Sequence, residues 1–261
     1  MSGLDVRAFT VGPVQENCYI VRSDPSAAHA VIVDPGEEPE RLLAAASALG
    51  VDIAAILVTH CHFDHIGAVA PVARATGAPV YCPEFERPLL ADIMSWVPPG
   101  FGPFESYDPD HTLVGGERLS IAGLDIEVLF TPGHSPGHVT YAIARSSPPG
   151  EERATAAPQP DPSEQGTNGA SEQALLSGDV LFAGSVGRVD LPGGDWATLE
   201  ASIGGLLQRF APQTTVYPGH MGITTLGRER DTNPFLAELR SATDRRPAGA
   251  AVAPEETASA S

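Results

Sequence analysis

Four groups of histidine and aspartate each close an apolar, strand-like run, and that placement constrains the fold more than any other feature of the chain. The densest is His60-Cys61-His62-Phe63-Asp64-His65, which follows Ile53, Ala55, Ile56, Leu57 and Val58 and precedes a helix-like stretch. The others are His134 in Thr-Pro-Gly-His, Asp179 in Ser-Gly-Asp and His220 in Pro-Gly-His. Side chains at strand ends sit on the rim of a sheet, where loops from distant parts of the chain converge. A lone His-x-His is a weak signal. Five histidines and two aspartates in this order are a strong one.

The rest of the pattern supports a sheet-based fold. Residues 4–11, 18–21 and 30–33 are β-rich and punctuated by Gly12-Pro13 and Asp34-Pro35-Gly36. Pro39–Leu49 has a helical start, an apolar face of Leu42, Leu43, Ala46 and Leu49, and Gly50 as its stop. Strands are expected at 53–58 and 79–82, and helices at 66–76 and 84–96. In the second half, strands are expected at 119–121, 124–130, 139–144, 174–176 and 214–217, and helices at 196–210 and 228–240. Strands and helices interleave in both halves, and both halves contribute rim residues. This predicts an α/β chain with two sheets packed face to face and helices outside. One domain is expected over 1–240. Residues 146–173 and 241–261 are rich in Pro, Ser, Gly, Glu and Ala and short of large apolar side chains, so a disordered insertion and a disordered tail are expected there.

Charge narrows the partners. The formal net charge is −18, and the 15 basic residues are all arginine. An acidic surface argues against nucleic acid, which requires clustered positive charge. The sequence has no apolar run of bilayer length, so no membrane partner is expected. The start, Met1-Ser2-Gly3-Leu4-Asp5, lacks a basic and apolar signal segment, and Cys18, Cys61 and Cys82 form no disulfide framework. Both features predict a cytoplasmic protein.

Imidazole nitrogen and carboxylate oxygen suit a divalent cation of hard to borderline character. Alternation in an extended segment puts His60 and His62 on one side and turns Cys61 inward, which predicts a structural role for Cys61. Asp64 and His65 fall on the turn into the next helix, within reach of a second ion. A pair of ions about 3.5–4 Å apart shares bridging ligands. His138 is expected to orient a ligand, and His29 and His111 to be solvated or capping. Trp96, Phe101, Phe104 and Tyr107, near Pro98-Pro99-Gly100, either pack under a loop or wall a substrate pocket.

These residues resemble the metallo-β-lactamase-fold hydrolases, and within them the glyoxalase II-like group (hydroxyacylglutathione hydrolases), over residues 4–239 without the insertion. The resemblance rests on the ligand order, on Thr131-Pro-Gly-His134-Ser-Pro-Gly-His138, on Gly178-Asp-Val-Leu-Phe182, on the glycine-rich stretch from Gly184 to Gly194, and on Tyr217-Pro-Gly-His220 followed by Thr-Asn-Pro-Phe235. It implies the four-layer αββα fold with two packed mixed sheets. It implies that His60, His62 and His134 hold one metal ion, that Asp64, His65 and His220 hold a second, and that Asp179 bridges them. The ions would be zinc, with iron or manganese also compatible with these donors. The implied reaction is hydrolysis of a small-molecule thiolester, an acyl-glutathione such as lactoylglutathione, by metal-activated hydroxide, with Asp64 and Asp179 as catalytic residues and Arg188 as the substrate-binding one. In this chain Gly222 stands where the best-known glyoxalase II enzymes carry an aromatic residue, and their added C-terminal helical domain has no counterpart.

Two other readings share the fold. A persulfide dioxygenase would hold one iron with His60, His134 and Asp179, and Leu191-Pro-Gly-Gly194 speaks against it. Hydrolases of lactones, phosphodiesters or β-lactams are the other possibility. The sequence leaves the oligomeric state open.

Overall fold

A computed structural model describes residues 3–146 and 173–237. The tail expected at 241–261, and the insertion expected at 146–173 apart from its two end residues, lie outside the described residues. The first half runs β1 (Asp5–Val11), β2 (Glu16–Arg22), β3 (His29–Val33), α1 (Pro39–Leu49), β4 (Asp52–Leu57), α2 (Phe63–Ile66), α3 (Val69–Thr76), β5 (Val80–Pro83), α4 (Arg87–Ala91) and β6 (His111–Leu113). The second runs β7 (Arg118–Ile121), β8 (Leu124–Phe130), β9 (Val139–Arg145), β10 (Gln173–Gly178), β11 (Leu181–Phe182), β12 (Ser185–Val186), α5 (Trp196–Arg209), β13 (Thr215–Pro218), β14 (Thr224–Thr225) and α6 (Leu226–Thr232).

Each half builds one six-stranded mixed sheet. The first has the order β1-β2-β3-β4-β5-β6, antiparallel up to β3 and parallel from there on. The second has the order β14-β13-β10-β9-β8-β7, with β10 and β13 its parallel pair. Strand alternation then divides the core into layers. On β2 and β3, Cys18, Ile20, Ala30 and Ile32 pack outward with Leu42, Val69 and Val72 of the helices. Their neighbours Tyr19, Val21, Val31 and Val33 pack inward against the second sheet, in one cluster with Ile126, Val128, Tyr141 and Ile143. The outer face of the second sheet, with Ala142, Leu175 and Val216, is covered by Leu199, Ile203 and Leu206 of α5. The result is the four-layer αββα arrangement, with apolar layers that explain why β2 is buried along its whole length.

Three helices depart from expectation, each at a proline. The helix expected over 66–76 starts at Phe63, breaks after Ile66 and restarts at Val69. Pro71 can occupy only a first turn, where its missing N–H has no intrahelical carbonyl to bond. The helix expected over 84–96 is a short α4 between two 3-10 turns, Glu84–Glu86 and Ile93–Ser95, because Pro88 can begin a helix but not continue one. The helix expected over 228–240, of which 238–240 lie outside the described residues, starts at Leu226 and is interrupted after Thr232, because Pro234 forces Asn233 into an extended conformation (φ −68°, ψ 121°).

Both sheets end their strands at one rim, and hydrogen bonds tie them there. Tyr141 Oη on β9 donates to the Val58 carbonyl just after β4, and Tyr19 Oη on β2 donates to the Pro218 carbonyl ending β13, each at 2.7 Å. The loops after β4, β8, β10 and β13 therefore meet over one spot.

Candidate metal centre

The loop after β4 carries His60 and His62, and the short helix α2 that follows it carries Asp64 and His65; the loop after β8 carries His134; β10 runs into Asp179; β13 runs into His220. All seven expected residues come together, in two groups. His60 Nε2, His62 Nδ1 and His134 Nε2 form a triangle with sides of 2.8, 3.1 and 3.2 Å. Nitrogens ligating one tetrahedral ion at about 2.0–2.1 Å would stand roughly 3.3 Å apart. The second group is Asp64, His65 and His220. Its His220 Nε2 lies 3.2 Å from Asp64 Oδ2.

Asp179 stands between the groups. Its Oδ1 is 3.4 Å from His65 Nε2, and its Oδ2 is 3.5 Å from His134 Nε2 and 3.6 Å from His220 Nε2. Glycines permit this position. A Cβ on Gly219 would come within 2.4 Å of Asp179 Oδ1, and one on Gly187 within 1.8 Å of the Asp179 carbonyl oxygen. The Pro-Gly-His stretch is thus the close wall of the Asp179 carboxylate, and the Gly-Arg stretch that of its main chain.

The far nitrogens of the rings fix what the near ones offer. His134 Nδ1 donates to the Arg188 carbonyl at 2.7 Å, and His220 Nδ1 to the Gln15 carbonyl at 3.2 Å. His65 Nδ1 donates to Asp34 Oδ2 at 3.0 Å. The Thr59 hydroxyl donates to the same oxygen at 2.6 Å and so accepts from His60 Nδ1 at 3.1 Å. With these protons placed, the Nε2 lone pairs of His60, His65, His134 and His220 all point into the centre. Backing of this kind sets both tautomer and ring orientation in metal sites.

Electrostatics agree with a cation. Burial, then the neighbouring His134 ring, lowers the pKa of His62 to about 4, and burial together with the other rings holds His60 well below its ordinary value. Both stay neutral with free lone pairs. Burial acts to raise Asp179, but the rings of His65, His134 and His220 overturn it and depress the carboxyl strongly. Burial likewise acts to lower His65, and the carboxylates of Asp179 and Asp64 reverse it. The second group therefore draws positive charge into a buried place. His65 Nε2 and Asp179 Oδ1 are buried without a hydrogen-bond partner, which ordinarily costs about 1–3 kcal/mol per group. Cations at the two groups would satisfy these atoms, so the residues present fit the pair of ions the sequence implies.

Several supporting residues were not anticipated. Asp34 serves both groups through Thr59 and His65, and it adopts a positive φ of 49° that a non-glycine residue rarely takes. It ends strand β3 just as the ligands end theirs, but Asp34-Pro35-Gly36 reads more readily as turn punctuation. Glu86, buried in the 84–86 turn, accepts from the Cys61 N–H, the Ser135 hydroxyl and the Gly137 N–H. It thereby joins the loop of His60 and His62 to the loop of His134. Glu16, behind His65 at 3.8 Å, is fully buried, and burial pushes its carboxyl well above the ordinary range. Nothing local in the sequence marks Glu16 or Glu86.

The secondary expectations divide. His138 orients a ligand residue: its Nε2 accepts from the Asp179 N–H at 3.1 Å while its Nδ1 donates to Thr131 Oγ1. Cys61 turns inward and lies 3.5 Å from the Cys82 sulfur, both thiols free. His29 and His111 are exposed. A cavity of about 780 Å³ opens over the two groups, and Trp96 lines it. Phe101, Phe104 and Tyr107 do not: Phe104 and Tyr107 pack on the core, and Phe101 packs at a tilt of 48° against Phe63, which does line the cavity. Arg188 also lines the cavity, with its guanidinium forked onto Asp190 at 2.6 and 2.7 Å.

Comparison with known proteins gives a consistent outcome. The family model described as Metallo-beta-lactamase superfamily matches residues 11–146. The hydroxyacylglutathione hydrolase GloC of Haemophilus influenzae is 29% identical, over 89% of this chain and 98% of its own. Among solved structures, the B3 metallo-beta-lactamase BLEG-1 superposes with a TM-score of 0.74 at 36% identity, covering 89% of this chain and all of its own. TTHA1623, solved in a di-iron-bound form, has a TM-score of 0.65 at 40% identity, over 88% of this chain and all of its own.

Proposed function

Because the chain belongs to the metallo-beta-lactamase superfamily, we propose that it is a binuclear metal-dependent hydrolase of thiolesters, with an acyl-glutathione such as lactoylglutathione as its first candidate substrate. The observation that carries this reading is the position of Asp179, whose Oδ2 lies 3.5 Å from His134 Nε2 of one group and 3.6 Å from His220 Nε2 of the other, with Oδ1 3.4 Å from His65 Nε2. His60, His62 and His134 would hold one ion, Asp64, His65 and His220 the other, and Asp179 both. A one-iron dioxygenase centre would leave the second group without a task. GloC, named for thiolester hydrolysis, supports the choice of bond. Zinc is the metal proposed; the same donors suit iron, and TTHA1623 was solved with two irons.

Bound there, divalent cations lower the pKa of water toward neutrality and polarise an acyl oxygen. In the net reaction the water oxygen bonds to the acyl carbon, the C–S bond breaks with its electron pair going to sulfur, and the proton balance is made with solvent. Asp64 lines the cavity, and its carboxylate would be mainly a ligand, holding a proton in passing only secondarily. A thiolate leaves readily, so no strong dedicated acid is needed. The rings fixed through their Nδ1 atoms keep the centre from reorganising as charge develops. Arg188, which lines the cavity, would meet a substrate carboxylate by exchanging Asp190 for it. The partner is a small molecule in a cytoplasmic setting, and the acidic chain offers no footprint for nucleic acid.

The test is thiol release from lactoylglutathione by protein loaded with zinc, iron or manganese, beside metal analysis. Turnover with close to two equivalents bound is expected; turnover at one equivalent, with His65 and His220 dispensable, refutes the binuclear form. The likeness to BLEG-1 favours β-lactam hydrolysis as a second reading, and a chromogenic cephalosporin assayed on the same preparation separates the two.

A further inference from the structure

We propose that the substrate carries a bulky apolar substituent beside the scissile bond, gripped between two apolar walls of the cavity; this rests on the hydrolase reading above. One wall is Phe85, Leu89 and Trp96, from the broken helical segment; the other is Val14, Phe182 and Met221. Phe85, Trp96 and Met221 are 65%, 56% and 58% exposed. Single exposed apolar side chains need no explanation, but several large ones around one opening mark a surface that a ligand covers.

Charge points the same way. The cavity's one lining cation among the described residues is Arg188, and Asp190 already occupies it. Of the lining anions, Glu86 is engaged by three donors, and Asp64 and Asp179 belong to the metal groups. Of the two lining serines, Ser135 spends its hydroxyl on Glu86, which leaves Ser185 as the lining hydroxyl open to a substrate. A lactoyl hydroxyl therefore meets few free partners, and the two carboxylates of glutathione compete for one guanidinium. A cavity of about 780 Å³ falls in the range of pockets that enclose drug-sized ligands, far more than a lactoyl group fills. An apolar substituent would dry both walls at once.

The experiment uses two series on the metal-loaded full chain: acyl groups from acetyl to octanoyl on one small neutral thiol, and lactoyl on alkyl thiols of rising length. Burial predicts a gain in kcat/KM of about threefold to fourfold per methylene in at least one series, on the order of a hundredfold over four methylenes. Trp96→Ala should flatten that slope without altering metal content. A binding readout stands apart from turnover. In a Trp196→Phe background Trp96 is the sole indole, since the chain has two tryptophans, and its fluorescence should respond to hexanoate at a concentration at least tenfold lower than to lactate. Flat series and equal fluorescence responses overturn the proposal. Chain-length-dependent binding with no turnover of any thiolester leaves the apolar site standing and overturns thiolester hydrolysis instead.

Discussion

Asp34 Oδ2 accepts from His65 Nδ1 at 3.0 Å, and that bond decides which nitrogen of His65 faces the centre. The same oxygen accepts from the Thr59 hydroxyl, which in turn accepts from His60. Asp34→Ala removes the backing of both groups at once. Outer partners of this kind are worth roughly 10- to 100-fold in metal affinity. Chelator competition should show a loss of that size for the variant; unchanged affinity would mean that His60 and His65 hold their orientation without Asp34.

Asp179→Ala should abolish activity and release much of the bound metal, because one carboxylate faces both groups. His29→Ala, at an exposed position on the first sheet, should match the wild type in both respects. Similar behaviour of the two variants would refute the ligand assignment.

Arg188 contributes two separable things. Its main-chain carbonyl holds His134, and a side-chain substitution keeps that carbonyl; its guanidinium reaches the cavity. Arg188→Ala should leave metal content unchanged and raise KM for a glutathione thiolester by roughly ten- to a hundredfold, the value of a charge-assisted fork of about 1.5–3 kcal/mol. A small neutral thiolester should be affected far less. Equal losses on both would assign Arg188 to bracing its loop through Asp190.

Stripping the metal should lower thermal stability. His65 Nε2 and Asp179 Oδ1 are buried without a hydrogen-bond partner, and ions held by the folded chain as proposed would satisfy them. A ligand at a hundred times its Kd contributes about 2.7 kcal/mol. For a domain of this size that corresponds to a shift in Tm of roughly 5–10 °C per ion. Scanning calorimetry with and without chelator checks it, and an unchanged Tm would argue against tight binding.

Replacing residues 147–172 by a short turn should preserve the fold and most of the activity. The flanking strands β9 and β10 are antiparallel neighbours, with Gln173 paired to Ala144, so a hairpin-length link can join them. None of the seven candidate ligands lies in the removed stretch. An insoluble or metal-poor product would show that the stretch contributes to the domain.

Residues whose chemistry is local were legible in the sequence. Strand runs ending in His or Asp announced the rim, and Pro39 with Gly50 gave the bounds of α1. What escaped is long-range. Asp34, Glu16 and Glu86 act on histidines and loops brought to them by the fold, and an acidic residue has the same appearance in sequence whether it faces water or a buried ring. The proline breaks at Pro71, Pro88 and Pro234 were visible as residues, but an apolar period running through them outweighed them as stops. The aromatic segment divided because Trp96 faces the cavity while Phe104 and Tyr107 face the core, a difference set by backbone turns that carry no period.

The cross-sheet origin of the centre also sets an order of assembly. A chain synthesised only as far as β6 holds His60, His62, Asp64 and His65, yet neither group is closed: the first lacks His134, and the second lacks His220 and the facing Asp179. His220 follows β13, one of the last strands to leave the ribosome. Both groups reach full complement only when the second sheet has docked on the first, so on the proposed two-ion reading capture of the second ion would record that docking, and a product interrupted before β13 would lack the residues to hold it.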